Sequence, residues 1–386
     1  MDRVRIGIAG IGNMGRAHAR YLLNKKVANA ELTAICDIDP EKLTWVRQYV
    51  GDSVRLYQDY DEMISSGAID GVLIAVPHYD HPSLAIKAFE RGLHVLVEKH
   101  AGVYTKQVRQ MNEAAEKSGR VFGIMYNQRT NPVYQKLRDL IKSGELGALK
   151  RTNWILTNWY RPQSYYDSGG WRATWAGEGG GVLINQDPHQ LDLWQWICGM
   201  PVKVRAFCHY GKYHDIEVED DVTAYVEYEN GATGVFVTGT ADAPGTNRLE
   251  VTGDMGKAVI ENDALTFWRN RVSERVFNSE YKGGFGFPEC WKCEIPVSGD
   301  NRQHEGITEN WVDAILKGTP LLAPGKEGIN GLKISNAIHL SSWIDDWVEI
   351  PFDEELYYEK LMEKVKTSSF KRAQSPSVTL DVDGTH

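Results

Sequence analysis

Long apolar runs are missing from this sequence. The longest, such as Gly71–Pro77, fall far short of the roughly 20 residues a membrane-crossing helix needs. Blocks of like charge are missing too. The balance of 43 Lys+Arg against 52 Asp+Glu gives −9, the wrong sign for a nucleic-acid or anionic-membrane partner. The first residues run straight into an apolar strand, without the charged segment, apolar core and cleavage site of a secretory signal. A cytoplasmic protein is therefore expected. Cysteine is scarce and odd in number: Cys36, Cys198, Cys208, Cys290 and Cys293 suggest no disulfide framework. Cys290 and Cys293 have CxxC spacing, but no second Cys or His pair follows at a zinc-like distance. Two thiols in a reducing cytosol are preferred, and no metal site is expected.

Aromatic residues are plentiful, with 12 Trp and 18 Tyr, many between Trp154 and Trp196. Large rings serve packing, and their flat faces also suit the apolar faces of sugars; composition does not separate the two. At 386 residues the chain is long enough for two domains.

Residues 1–126 alternate short apolar runs with helix-like segments, the signature of βαβ units and a parallel sheet. Strands are expected at Val4–Ala9, Glu31–Cys36, Gly71–Val76, His94–Glu98 and Val121–Met125, with helices at Arg16–Leu23, Pro82–Arg91 and Lys106–Ser118. From about Leu149 the runs lengthen and roughly alternate: Lys150–Tyr160, Val202–Tyr210, Val222–Tyr228, Ala232–Thr240 and Arg248–Thr252. That pattern predicts a largely antiparallel sheet with one face packed and one open, and an open face of this kind suits a subunit interface. Helices at His304–Lys317 and Gly328–Trp347, a strand at Glu349–Phe352 and a helix at Glu354–Lys364 close the pattern. The expected layout is a dinucleotide domain at 1–126, a substrate and oligomerisation domain at 127–364, and a mobile Ser/Thr/Asp-rich tail at 365–386.

The clearest motif is Gly10-Ile11-Gly12-Asn13-Met14-Gly15, between an apolar strand and a helix. Gly10 permits the tight turn, Gly12 lets backbone approach a pyrophosphate, and Gly15 lets helix and strand pack closely. A glycine triplet alone is weak, but strand, helix and an acid at the right distance agree here. That acid is Asp37, 22 residues beyond Gly15. Its carboxylate suits a ribose diol and repels the extra phosphate of NADP, so NAD is preferred. Asp39, before Pro40, fits the competing helix-cap role better.

Three further stretches carry a resemblance. Ala75-Val76-Pro77-His78-Tyr79-Asp80-His81 follows the nucleotide-side strand, Gly92 to Lys99 ends in Glu98-Lys99, and Gly179-Gly180-Gly181 leads through Asn185 and Asp187 to His189 and Asp192. In order and spacing over most of residues 1–350, the chain resembles the Gfo/Idh/MocA oxidoreductases. The resemblance implies an α/β protein: an N-terminal Rossmann domain with a doubly wound parallel sheet, then a C-terminal α/β domain with a large open, mostly antiparallel sheet. It also implies oxidation or reduction of a hydroxyl on a sugar, inositol or related polyol with NAD(P).

Carried over by position, the resemblance makes Lys99, His189 and Asn185 the catalytic candidates. Histidine, titrating near ~6.5, suits a base that takes the hydroxyl proton. The Lys99 ammonium suits the substrate oxygen and its developing alkoxide charge, with Glu98 orienting or pairing with the lysine. Cofactor contacts are expected from Gly10, Gly12, Asn13, Met14, Gly15, Asp37, Pro77, His81 and Glu98, His78 and His81 shaping the loop rather than reacting. Substrate contacts are expected from Gln128, Arg129, Tyr160, Arg161, Trp171, Arg172, Trp175 and Asp187. The family's Glu-Lys-Pro is here Glu98-Lys99-His100, without the proline's constraint, and the acid common four residues before the catalytic histidine is Asn185. Asp187 and Asp192 are the carboxylates near enough in sequence to substitute.

The expected activity is NAD-dependent oxidation or reduction of a secondary ring hydroxyl of a pyranose or glycoside, with C3 the position the resemblance implies. Two alternatives stay open: a redox-neutral glycosidase that oxidises, eliminates and re-reduces, and a non-catalytic NAD-bound sensor. The expected partners are a small carbohydrate and further copies of the chain, as a dimer or tetramer through the C-terminal sheet.

Overall fold

The computed structural model describes residues 2–50 and 53–369. Its first sheet consists of β1 (Val4–Ala9), β2 (Ala30–Cys36), β3 (Arg55–Tyr57), β4 (Gly71–Ile74), β5 (His94–Val97) and β6 (Phe122–Ile124). All neighbours are parallel, in the order β3-β2-β1-β4-β5-β6. Helices cover both faces, so Ile6, Ile8, Val72, Leu73, Val95 and Leu96 are wholly buried and the strands read as nearly continuous apolar runs. Strand order reverses between β1 and β4, which leaves a crevice beyond their carboxyl ends. The glycine motif leaves β1 there, and Ala75–Pro77 leaves β4.

The second sheet has nine strands: β7 (Leu149–Leu156), β8 (Lys203–Tyr210), β9 (Glu219–Glu227), β10 (Thr233–Gly239), β11 (Asn247–Gly253), β12 (Gly256–Glu261), β13 (Ala264–Asn270), β14 (Cys290–Glu294) and β15 (Val348–Glu349). The order is β14-β13-β12-β11-β7-β10-β9-β8-β15. Only β7 and β10 pair parallel among these neighbours. Trp154 and Phe236 are buried on the packed face, where Trp194 of the helix Pro188–Cys198 stacks on Phe236 with centroids 5.4 Å apart. The opposite face exposes Ile155, Phe207 and Tyr225. Cys290 and Cys293 lie on β14, three residues apart, so their side chains leave opposite faces.

Three differences from the sequence reading have physical causes. The last strand is only Val348–Glu349, paired to β8, because Pro351 has no N–H to extend a ladder. The helix Gln303–Lys317 returns to the first sheet. Its Trp311 is wholly buried there, and a Cβ on Gly71 would lie 2.7 Å from the indole. Periodicity marked a helix, but the missing side chain at Gly71 decides which sheet receives the ring. Finally, the last helix runs through Thr367, and Ser369 donates to Glu217 from its backbone N–H (2.8 Å) and hydroxyl (2.9 Å). Residues 365–369 of the expected mobile tail are thus held in place; 370–386 lie outside the described residues.

Candidate active site

The glycine turn is built by backbone. Gly10 has φ +89°, and a Cβ there would sit 2.5 Å from the Ala75 carbonyl oxygen. A Cβ on Gly15 would sit 2.0 Å from the Gly10 carbonyl oxygen, so the helix Asn13–Leu23 packs closely on the turn. At Gly12 a Cβ would meet nothing within 4 Å. Gly12 caps that helix without a side-chain bond, and no acid lies in its first turn. The leading N–H groups, with Asn13 and Met14 beside them, therefore offer a positive helix end to an anion.

Asp37, nearly buried, accepts the Ile11 N–H at 2.8 Å and the Asp39 N–H at 2.9 Å. Asp39 in turn accepts the Glu41 N–H at 2.9 Å and takes the capping role. A carboxylate has lone pairs beyond the two Asp37 uses, which leaves it able to accept from a diol. Backbone approach at Gly12, an open helix end and this acid together fit a dinucleotide.

Across the crevice, Pro77 leads into a 3-10 turn, His78–Asp80. His81 is wholly buried, with Nδ1 2.6 Å from the His100 carbonyl and Nε2 2.7 Å from that of Val76. It braces two loops from inside rather than offering an open face to a cofactor.

Glu98 also faces inward. Its carboxylate meets His18 Nε2 at 2.6 Å and accepts the Lys99 backbone N–H at 3.1 Å. Burial pushes that carboxyl up, but the hydrogen bond and charge of His18 outweigh it and hold Glu98 well below the usual carboxylate range. Glu98 therefore pairs with His18, and the Lys99 ammonium goes elsewhere, donating to the Asn185 carbonyl at 2.8 Å. Burial lowers the Lys99 pKa; Glu98 and Glu178 raise it in part, while Arg161 and Arg172 add to the lowering. The Lys99–His100 peptide is cis although no proline follows the lysine.

Asn185 ends the short helix Val182–Asn185 and gives its side-chain amide to Glu178. Glu178 is 2% exposed and accepts the Ala173 N–H at 2.7 Å. Burial raises its pKa against the pull of Arg172, the Ala173 N–H, Asn185 and Lys99. The sequence reading missed this residue. The signal was present: an acid immediately before the triple glycine, within reach of a site whose expected acid is an amide. His189 stands in the first turn of the helix Pro188–Cys198, nearly buried, its ring edge-on to Tyr126 at 6.4 Å.

The expected substrate residues divide. Arg129 is wholly buried; it grips both Asp192 oxygens at 2.6 and 2.7 Å and meets Glu327 at 2.6 Å. Its donors are committed, so it ties the 3-10 turn Asn127–Thr130 to the helix Pro188–Cys198 instead of lining a binding surface. Asp192 is likewise used up and does not stand in for the acid. Trp175 is core: its indole N–H bonds the Glu217 carbonyl at 2.9 Å, and its ring packs against Trp343 and His339. Asp187 is wholly buried, and burial raises its carboxyl well above its usual range. Gln128, 9% exposed, leans toward Gln303. The remaining four lie nearer the surface: Tyr160 is half exposed, Arg161 lies over Trp159 and Tyr165, and Arg172 lies over Trp171 and Tyr165 while donating to the Tyr165 hydroxyl at 3.0 Å.

Comparison with known proteins agrees with this geometry. Residues 4–126 match the model of an oxidoreductase family with an NAD-binding Rossmann fold, and residues 134–259 match the GFO/IDH/MocA C-terminal domain. The chain is 29% identical over 273 residues to the rhizopine catabolism protein MocA of Rhizobium meliloti, covering 69% of this chain and 80% of that protein. It is 24% identical over 395 residues to levoglucosan dehydrogenase of Pseudarthrobacter phenanthrenivorans, covering 91% and 99%. The WlbA dehydrogenase of Bordetella pertussis, solved with NADH and UDP-GlcNAcA, superposes with a TM-score of 0.77 at 25% identity, covering 91% of this chain and all of that one.

Proposed function

The chain belongs to the Gfo/Idh/MocA family of NAD-binding oxidoreductases, and from that premise we propose that it oxidises or reduces a secondary ring hydroxyl of a sugar, glycoside or polyol. The observation that carries this reading is a partly buried lysine, Lys99, fixed just past β5 by the Asn185 carbonyl, in a chain whose glycine turn and Asp37 fit a dinucleotide. NAD, when bound, supplies the hydride acceptor.

The protein's own groups do the rest. Lys99 donates a hydrogen bond to the substrate oxygen and stabilises the negative charge that grows there, an effect strengthened where water is scarce. His189 takes the hydroxyl proton in oxidation and returns it in reduction. Asn185 positions a neighbouring hydroxyl, and Tyr160, Arg161, Trp171 and Arg172 flank the ring. The levoglucosan and UDP-GlcNAcA names of the relatives support a pyranose-like substrate. The exposed Ile155, Phe207 and Tyr225 on the open sheet face support assembly of further copies through that face.

The test is to incubate the protein with stoichiometric NAD and a panel of polyols, sugars and O- and C-glycosides, then weigh the products. A keto product two hydrogens lighter, formed one-for-one with NADH, is expected. Free sugar and aglycone without net NADH would replace this reading with the redox-neutral glycosidase, and no product across the panel with the non-catalytic sensor.

A further inference from the structure

We propose that Glu178 is the positioning carboxylate of this site, acting through Asn185 and Lys99 in place of the acid missing at position 185; the proposal rests on the dehydrogenase reading above. Three segments distant in sequence meet here. Glu178 precedes the triple glycine, Asn185 ends the following short helix, and Lys99 lies two residues past β5.

Both Glu178 oxygens are in use: one accepts the Asn185 amide and the other the Ala173 N–H at 2.7 Å. A carboxylate only accepts, so it fixes which way the Asn185 amide points. With its NH2 held by Glu178, the amide turns its oxygen to the opposite side as an acceptor for a substrate hydroxyl. The same residue's backbone carbonyl holds Lys99 Nζ at 2.8 Å. One buried negative charge thus fixes the amide's orientation and favours the charged form of the lysine beside it.

The surroundings keep both roles sensitive to charge. Glu178 faces the cations Lys99 and Arg172 and the phenol Tyr166, while His78 hydrogen-bonds its backbone. Lys99 faces the acids Glu98, Glu178 and Asp187 and the cations Arg161 and Arg172. His78 and His100 adjoin it as well. Protonating Glu178 frees the amide to turn over, and activity falls at low pH. Removing its charge makes the Lys99 ammonium easier to deprotonate, so the alkaline loss of activity arrives earlier.

The test is Glu178→Gln in the full chain, with NADH binding followed by fluorescence to show that fold and cofactor site persist. The expected result is a fall in kcat of about 10- to 100-fold, from losing a hydrogen bond to a buried charge, with a smaller change in KM. The share of the acid limb that belongs to Glu178 should disappear, leaving the one set by His189 as general base, and the alkaline limb should move to lower pH. Adding Glu178→Gln to Asn185→Ala should cost less than twofold more, since the two act as one unit. A readout free of turnover is the pH dependence of Lys99 acylation by trace acetic anhydride, followed by mass spectrometry. Its midpoint should drop in the variant. An unchanged midpoint overturns the proposal even if the wild type oxidises nothing, whereas a shifted midpoint without wild-type turnover sinks only the dehydrogenase reading. Full additivity with Asn185→Ala would show that Glu178 does not act through the amide.

Discussion

The glycine turn and the Lys99 cluster serve one crevice by opposite means. The turn uses backbone from one continuous stretch, Gly10–Gly15, plus one acid just past the next strand. It works through what is absent: side chains at Gly10 and Gly15, and a capping bond at Gly12. The cluster uses side chains from separate segments, held partly out of water, and works through charges that balance one another. Binding by backbone demands particular residues at a fixed spacing, whereas a charge network demands only that compensating groups meet in space.

Five substitutions sharpen that contrast, the largest first. Arg129→Met leaves the Asp192 carboxylate buried without its partner, and breaking such a pair costs about 3–5 kcal/mol. The urea midpoint should fall accordingly at unchanged slope. If stability held while KM for substrate rose, Arg129 would be a binding residue after all.

Lys99→Met should lower kcat by about 10²- to 10³-fold, as loss of a donor to developing negative charge does. NADH affinity should barely move, because the turn is separate machinery. A comparable loss of NADH affinity would merge the two regions into one.

Within the turn, Gly15→Ala and Gly12→Ala should behave oppositely. The Gly15 Cβ meets backbone at 2.0 Å, and such overpacking costs about 1–3 kcal/mol. The Gly12 Cβ meets no protein atom within 4 Å, so melting should stay put while NADH binding weakens, about tenfold if one close backbone contact of about 1.4 kcal/mol is lost. Equal melting losses in both variants would contradict an open face at Gly12.

The smallest effect is expected at Asp187, whose carboxyl burial raises well above its usual range. Ionising it in the fold costs stability, and that cost is absent below the unfolded value of about 3.9 and grows as pH rises from there. Asp187→Asn should therefore raise Tm at pH 8, by about 2 °C, with the gain shrinking towards pH 4. A loss at every pH would mean that the carboxylate is ionised and engaged.

The parallel sheet and the glycine turn were legible because period and spacing are properties of the chain itself. Strands such as β1 and β5 fall within one residue of the sequence reading. Arg129 and Trp175 were misplaced because an arginine and a tryptophan beside a site look the same whether they face a ligand or a partner 63 or 42 residues away. Glu98 was expected to orient or pair with the lysine; its carboxylate hydrogen-bonds His18, 80 residues away, and meets Lys99 through its backbone N–H and through charge rather than by an ammonium contact.

The sequence by itself determined the dinucleotide turn, the alternation of strands and helices and the lysine just past β5, since local sterics and hydrophobic period set them. Only the tertiary structure decided which carboxylate holds the Asn185 amide, which arginine is sealed in the core and which sheet receives Trp311. Those outcomes depend on groups far apart in sequence meeting where water is excluded, and there one missing partner costs more than any local preference contributes.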